Sequence, residues 1–446
     1  MTYSQKISNT RTGIQGIITV SGDKSISHRA LMFGALAVGE STICNLLEGS
    51  DVLHTADAMR AFGATITKIE TGDYKINGVG VGGLQEPNQA LNFGNAGTGA
   101  RLTMGLCATH PITAIFYGDA SLSKRPMARI LEPLRLLGAK TTGRHGDKLP
   151  LALVGTDTGV PIEYTMPVAS AQVKSAILLA GLNVHGTTII HEKIKTRDHT
   201  EKMLHYFGAD IKTTQTPDGT TIMLKGHAEL KPQTVHVPAD PSSAAFPICA
   251  ALINPNSDIT VKNVLMNPTR IGLFDTLIEM GADITYHNQR TESGESIADI
   301  QARSSVLTGI TVPPQRAASM IDEYPILMIV AAQATGKTIM RGIGELRVKE
   351  SDRIDAMCQG LRAIGVKVTE EESGVIIEQS ILTGNATIKT MMDHRIAMSF
   401  LIAGTVCENP IAIDNAAFIQ TSFPNFIPLM NKIGCQISDD SLENKI

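Results

Sequence analysis

The stretch Leu204-His205-Tyr206-Phe207-Gly208-Ala209-Asp210-Ile211 reads as a helix end, a glycine, a small residue and the start of a strand. Glycine directly after a helix supplies the left-handed cap residue that lets the chain turn at once into an extended segment. The phrase recurs five times: Met59-Arg60-Ala61-Phe62-Gly63-Ala64-Thr65-Ile66, Leu134-Arg135-Leu136-Leu137-Gly138-Ala139, Leu277-Ile278-Glu279-Met280-Gly281-Ala282-Asp283-Ile284, Leu361-Arg362-Ala363-Ile364-Gly365-Val366-Lys367-Val368 and Met430-Asn431-Lys432-Ile433-Gly434-Cys435. Its glycines lie roughly 70 to 85 residues apart, longer than a solenoid repeat and long enough for a small βαβ-type unit. Six such units are predicted to make the chain.

A second feature appears once per unit, a polar cluster followed by an Ala/Leu/Ile/Met-rich run. The clusters are Asp23-Lys24-Ser25-Ile26-Ser27-His28-Arg29, Asn95-Ala96-Gly97-Thr98-Gly99-Ala100-Arg101, Ser170-Ala171-Gln172-Val173-Lys174-Ser175, Asp240-Pro241-Ser242-Ser243-Ala244, Ile321-Asp322-Glu323-Tyr324-Pro325 and Asp393-His394-Arg395-Ile396-Ala397. Asp, Ser, Thr and Asn before an apolar helical run are N-cap chemistry. Helices apolar nearly all round are buried, so each leaves only its polar end to face something. Four of the six starts also carry Lys, Arg or Gln near the first turn, where a cation opposes the helix dipole. An anionic ligand supplies a reason for it.

Composition narrows the class. With 446 residues, 43% of them hydrophobic, the chain exceeds one ordinary core and suffices for two, predicting two domains. A charged fraction of 18% and a net charge of -4 fit neither a disordered chain nor a general nucleic-acid binder. Cys44, Cys107, Cys249, Cys358, Cys407 and Cys435 are scattered without a Cys-x-x-Cys pair, which disfavours structural zinc and a disulfide framework. Met1-Thr2-Tyr3-Ser4-Gln5-Lys6 leads into no apolar signal core, and no run is long enough for a membrane span. The longest apolar run, Ile326 to Ala332, fits a buried helix. A cytoplasmic small-molecule enzyme is the expectation.

Three familiar motifs fail. Gly78-Val79-Gly80-Val81-Gly82-Gly83 matches G-x-G-x-x-G, but Leu84-Gln85-Glu86-Pro87-Asn88 follows where a dinucleotide fingerprint needs a helix, so it reads as a turn. Gly336-Lys337-Thr338 has Ala331 where a P-loop needs glycine. His191-Glu192 has Lys195 in place of the second histidine of a zinc-protease helix. No cofactor and no metal are expected.

Asp23-Lys24-Ser25-Ile26-Ser27-His28-Arg29, Gly94-Asn95-Ala96-Gly97-Thr98-Gly99-Ala100-Arg101-Leu102, Gly118-Asp119-Ala120-Ser121-Leu122-Ser123-Lys124-Arg125-Pro126-Met127, Lys349-Glu350-Ser351-Asp352-Arg353 and Asp393-His394-Arg395-Ile396-Ala397-Met398 resemble the signatures of the EPSP synthase family, in the family's order and across nearly the full chain. The resemblance implies an α/β fold of two similar domains, each of three βαβαββ units forming an inside-out barrel, with the active site in the interdomain cleft. It places the N-terminal domain at 21–238 and the C-terminal domain at 1–20 with 239–446. It also implies transfer of the enolpyruvyl group of phosphoenolpyruvate to the 5-hydroxyl of shikimate 3-phosphate, on the way to chorismate and aromatic amino acids, by a monomer in which glyphosate competes with phosphoenolpyruvate. No nucleic-acid or membrane partner is implied.

The substrates each bring a phosphate and a carboxylate, so the site needs local cations although the protein is net acidic. By resemblance, Lys24, Asn95, Gly97, Arg125, Gln172, Lys349, Glu350, Arg353 and Arg395 meet phosphoenolpyruvate. Shikimate 3-phosphate falls to Lys24, Ser25, Arg29, Ser170, Ala171, Gln172, Arg197, Asp322 and Lys349. Bidentate guanidinium forks suit carboxylate and phosphate. Read by spacing alone, Lys349 and Arg353 are also an i, i+4 pair on one solvated helix face, and Asp322 is also a plain N-cap.

The matching catalytic residues are Glu350 for proton transfer at the methylene, Asp322 for orienting and accepting from the sugar hydroxyl, and Lys24 at the leaving phosphate or sharing proton transfer. A related family acts on UDP-N-acetylglucosamine with a reactive cysteine in the loop before its Arg-Pro; Ala120 stands there. A non-catalytic binder of anionic metabolites would need the cations but not both Asp322 and Glu350. Where many members have lysine before Thr-Phe-Pro, this chain has Thr421 in Gln420-Thr421-Ser422-Phe423-Pro424, which, with Arg197, resembles the second class of the family.

Overall fold

The structure is a computed structural model in which residues 6–9 and 13–439 are described. All six cap glycines lie in the left-handed region, Gly63 at φ 99°, Gly138 at 115°, Gly208 at 91°, Gly281 at 96°, Gly365 at 90° and Gly434 at 117°. A side chain there would strain the backbone, which is why glycine recurs at each helix-to-strand turn.

Among the described residues the strands form six four-stranded sheets of one design. A short edge strand runs parallel to its neighbour, and that neighbour runs antiparallel to the next. The sheet of Leu91–Asn92, Thr113–Tyr117, Lys148–Val154 and Lys140–Arg144 takes its strands from one run of chain, interleaved with the helices Gly97–Ala108 and Ala128–Leu136. This is the βαβαββ unit.

Two units exchange their edge strands. Gln15–Ile18 precedes the helix Lys24–Leu36 in the chain but pairs with Asp258–Leu265. Thr234–His236 precedes the helix Pro241–Ile253 but pairs with Val38–Cys44. These exchanges lie at two of the four places where the chain passes from one compact unit to the other. One unit holds the residues up to Ser21, Pro238–Arg290 and those from Ser296; the other holds Gly22–Val237 and Thr291–Glu295. Against the boundaries expected from sequence, Ser21 and Pro238 move to the first unit. Residues 291–295, the tip of the hairpin formed by the strands Asp283–Glu292 and Glu295–Arg303, fall in the second.

Each unit encloses three helices buried on nearly every side: Lys24–Leu36, Gly97–Ala108 and Ala171–Gly181 in the second, Pro241–Ile253, Tyr324–Gln333 and His394–Ala403 in the first. The sheets lie outside them, alternating buried and exposed side chains as in Lys148–Val154. The first unit's core gathers Phe246, Leu327 and Phe400 from its three helices. The run Ile326 to Ala332 is fully buried, and the G-x-G-x-x-G stretch is the end of the strand Asp73–Val79 and a turn. The six cysteines are unpaired, five of them buried.

Candidate active site

The six buried helices begin at the six polar clusters; the remaining candidates, Arg125, Arg197, Lys349, Glu350 and Arg353, lie just before or at the starts of the helices Ala128–Leu136, His199–Tyr206 and Arg353–Ala363. Four starts carry a side-chain cap: Asp23 accepts from the Ile26 amide, Ser170 from Val173, Asp240 from Ser242 and Asp393 from Arg395. The other two depart from the N-cap expectation. The cap positions of Gly97–Ala108 and Tyr324–Gln333 are Ala96 and Glu323, and neither makes a cap bond. The nearby polar side chains are engaged otherwise: Asn95 accepts from Arg125 Nη2 at 2.5 Å, and Asp322 Oδ1 accepts from Arg353 Nη1 at 3.3 Å. Asp322 is thus tied to a cation rather than serving as the cap residue.

In the second unit the three helix starts are linked by hydrogen bonds. Gln172 Nε2 donates to Thr98 Oγ1 at 3.0 Å and Gln172 Oε1 accepts from Arg101 Nη1 at 2.7 Å, joining Ala171–Gly181 to Gly97–Ala108. Arg29 Nη2 donates to Ser175 Oγ at 2.8 Å, joining Lys24–Leu36 to Ala171–Gly181. Lys24 pairs with Asp51, which sets a carboxylate beside its charge. Arg125, on the loop after Leu122–Lys124, is steered by Asn95, whose own amide donates to Asp119 Oδ2 at 2.7 Å. A Cβ placed on Gly97 would lie 3.1 Å from Arg125 Nη1. Arg197 sits between the strand Thr187–Glu192 and the helix His199–Tyr206. Lys24, Ser25, Gly97, Arg125, Gln172 and their neighbours therefore form one connected set.

Burial sets the charge states there. His28, inside the first cluster, is driven down to about 3 by burial and by the Lys24 charge, so it is neutral at physiological pH and bonds Thr55 Oγ1 at 2.8 Å. Arg29 is pulled down to about 10, chiefly by burial, and remains a cation.

In the first unit Arg353 is the hub. It is 1% exposed, and Nε donates to Asp393 Oδ2 at 2.8 Å, Nη1 to Asp322 at 3.3 Å and Nη2 to Glu350 Oε2 at 2.5 Å. Burial alone would lower its pKa, but the charges of Asp393, Glu350 and Asp322 outweigh that and raise it. Arg395 Nη1 donates to the Asp322 carbonyl at 3.1 Å and lies 3.5 Å from Glu323 Oε1. Lys349 precedes the helix Arg353–Ala363 and turns to Glu345 at 3.0 Å. Arg353 opens that helix and is buried, so the reading of Lys349 and Arg353 as one solvated helix face fails. Arg353 meets three carboxylates here, and an anionic ligand has to compete with them.

Sequence reading did not single out Asp51, Arg101, Thr98, Ser175, Thr200 or Asp393 as site residues. Each touches a candidate ligand residue. Thr98, Arg101, Ser175 and Asp393 stand inside the quoted motifs and were visible there. Asp51 and Thr200 carry no local signal.

Three βαβαββ units per compact body, with cations and carboxylates at the starts of their buried helices, define the class of enolpyruvyl transferases. The enolpyruvyl transferase of Streptomyces tendae shares this fold at a TM-score of 0.76 and 16% identity, covering 98% of this chain and 99% of that one. The sequence profile of EPSP synthase (3-phosphoshikimate 1-carboxyvinyltransferase) matches residues 8–430. A 3-phosphoshikimate 1-carboxyvinyltransferase of Cereibacter sphaeroides is 55% identical over 98% of both chains, and one of Parvibaculum lavamentivorans 58% identical over 94% of both. The EPSP synthase of Acinetobacter baumannii superposes at a TM-score of 0.88 with 43% identity, covering 98% of this chain and all of that one. This chain belongs to the EPSP synthase family.

Proposed function

We propose that the chain transfers the enolpyruvyl group of phosphoenolpyruvate to the 5-hydroxyl of shikimate 3-phosphate, giving 5-enolpyruvylshikimate 3-phosphate and phosphate, with the two residue sets as its substrate ligands. The observation that carries the reading is the placement of two carboxylates, Asp322 and Glu350, on one buried guanidinium, Arg353. A binder of anions gains nothing from carboxylates that compete with its ligand. A transferase needs groups that move protons.

The chemistry follows from that placement. Asp322 accepts the proton of the attacking hydroxyl, and Glu350 delivers a proton to the phosphoenolpyruvate methylene, which makes C2 electrophilic. The sugar oxygen bonds to C2, and the tetrahedral phospholactoyl intermediate forms. Phosphate then leaves carrying the proton that Asp322 took from the hydroxyl, and return of a methyl proton to Glu350 regenerates the double bond, so both carboxylates end as they began. Arg353 holds Glu350 in place, and a substrate carboxylate or phosphate that competes for the guanidinium releases Glu350 toward the substrate. Lys24, Arg125 and Arg395 meet the phosphoenolpyruvate anions, while Ser25, Arg29, Ser170 and Arg197 hold shikimate 3-phosphate. The compact units act as the two domains of a cytoplasmic monomer; among the described residues no helix is long and apolar enough to cross a membrane.

Phosphate release on mixing phosphoenolpyruvate with shikimate 3-phosphate tests the reading, with UDP-N-acetylglucosamine as the control acceptor. Release with the first acceptor alone is expected. Release with neither, from folded protein, would leave an anion binder.

A further inference from the structure

Arg29 and Arg353 are both buried guanidinium groups, 3% and 1% exposed, yet they are held in opposite ways. Arg353 bonds carboxylates. The three hydrogen bonds of Arg29 go to neutral oxygens: Nε to Thr200 Oγ1 at 2.7 Å, Nη2 to Ser175 Oγ at 2.8 Å and Nη1 to the Ser25 carbonyl at 2.9 Å. The two hydroxyls are bonded to each other at 2.7 Å and are fully buried, closing a triangle with the guanidinium.

A guanidinium has five N–H donors. Three are used here, and one remains on each Nη, a pair that an oxyanion can take together. Hydroxyls satisfy donors without a carboxylate in direct contact, so the group is fixed in direction, with the Glu201 and Asp23 charges acting on it only from a distance. Removing an acceptor from such a buried charged donor leaves it unsatisfied and free to reorient, which is costly. Thr200 lies in the first turn of the helix His199–Tyr206 and Ser175 lies within Ala171–Gly181, so the triangle fixes Arg29 against two other elements.

We propose that Thr200 and Ser175 are positioning residues for Arg29, aligning its two remaining N–H groups on the shikimate 3-phosphate anion. The proposal rests on the reading of Arg29 as a ligand of that substrate. It predicts an effect on one Michaelis constant and not the other.

The test is steady-state phosphate release by purified Thr200→Val, Ser175→Ala, Thr200→Ser and Arg29→Ala proteins, with thermal melts to verify folding. Thr200→Val and Ser175→Ala should each raise KM for shikimate 3-phosphate about tenfold. KM for phosphoenolpyruvate and kcat should stay within about twofold. Thr200→Ser, which keeps the hydroxyl, should restore the wild-type value. In the Arg29→Ala background Thr200→Val should add nothing further, because its effect passes through the guanidinium. A raised KM in Arg29→Ala with unchanged values in both Thr200→Val and Ser175→Ala would overturn the positioning role alone. Equal rises in both Michaelis constants would also overturn it. An unchanged KM in Arg29→Ala would remove the assignment of Arg29, and the proposal with it.

Discussion

At Gly97 a hydrogen stands where a methyl group would crowd the Arg125 guanidinium. Its φ lies outside the left-handed range, so alanine meets no backbone penalty there. The added Cβ instead meets Arg125 Nη1 at 3.1 Å and Leu122 Cδ1 at 3.6 Å, and the guanidinium, at the end of a flexible side chain, yields by a few tenths of an ångström. In the proposed phosphoenolpyruvate site, glyphosate, as the longer ligand, is expected to tolerate a displaced Arg125 less well. Gly97→Ala is therefore expected to fold normally and to raise the glyphosate inhibition constant by more than the KM for phosphoenolpyruvate. Overpacking of about 1 to 3 kcal/mol corresponds to roughly tenfold to hundredfold for the strained ligand. Equal proportional changes in the two constants would remove the steric account. For Glu350→Gln, turnover should fall at least about a hundredfold while shikimate 3-phosphate still binds, since the shape is kept and the proton carrier is lost. Near-normal turnover, measured beside calorimetric binding, would take Glu350 out of the mechanism.

At the scale of elements, the segment from Thr196 to Glu201 is anchored residue by residue. Thr196 Oγ1 donates to Glu192 Oε2 at 2.8 Å, His199 Nδ1 lies 2.7 Å from Glu295 Oε1, Thr200 holds Arg29, and Glu201 pairs with buried Lys174 at 2.7 Å. Glu295 also accepts from Lys202 at 2.9 Å. Burial alone would raise the Glu295 pKa, but the bond from His199 and the charges of His199 and Lys202 hold it below its ordinary value of 4.5. A carboxylate depressed in the folded state contributes stability that is present above its unfolded pKa and is lost as pH falls through the folded one. Glu295→Gln should therefore lower the melting temperature at neutral pH, by the equivalent of roughly 1.5 to 3 kcal/mol for a charged hydrogen bond. The gap should close as the medium is acidified below pH 4.5. Melts in which the gap is unchanged from neutral pH to pH 3 would rule out the ionic contribution. None of this anchoring was legible in the sequence. Arg29 and Thr200 stand 171 residues apart, as do Arg29 and Ser175 by 146, and hydroxyls carry no pattern that announces a distant partner. The cap glycines and helix starts were legible, because a left-handed turn and an N-terminal polar cluster are demands a backbone makes within a few residues of itself. The three carboxylates around Arg353 were half legible: the motifs named the residues, but only packing reveals that they satisfy one guanidinium.

Across the whole molecule the proposed ligands of phosphoenolpyruvate are divided between two compact units, Arg125 in one and Arg395 in the other. Arg125→Ala and Arg395→Ala should each raise KM for phosphoenolpyruvate at least about tenfold, the loss expected for a charge-assisted bond, although neither belongs to the other's fold. A variant that leaves that KM unchanged would confine the ligand to a single unit. The units themselves repeat one plan with one variation in connectivity. In five sheets a turn joins the outer two strands, as Thr71-Gly72 joins Thr65–Glu70 to Asp73–Val79. In the sixth those positions are held by Gln436–Asp439 and Lys6–Asn9, the last and first described strands, paired antiparallel from Lys6 opposite Asp439 to Asn9 opposite Gln436. The sixth hairpin is thus a hairpin cut open. A permuted gene that links Asp439 to Lys6 through a short glycine-rich loop and begins instead at Gly72 should yield the same fold and the same enzyme, with the nick moved from one equivalent turn to another.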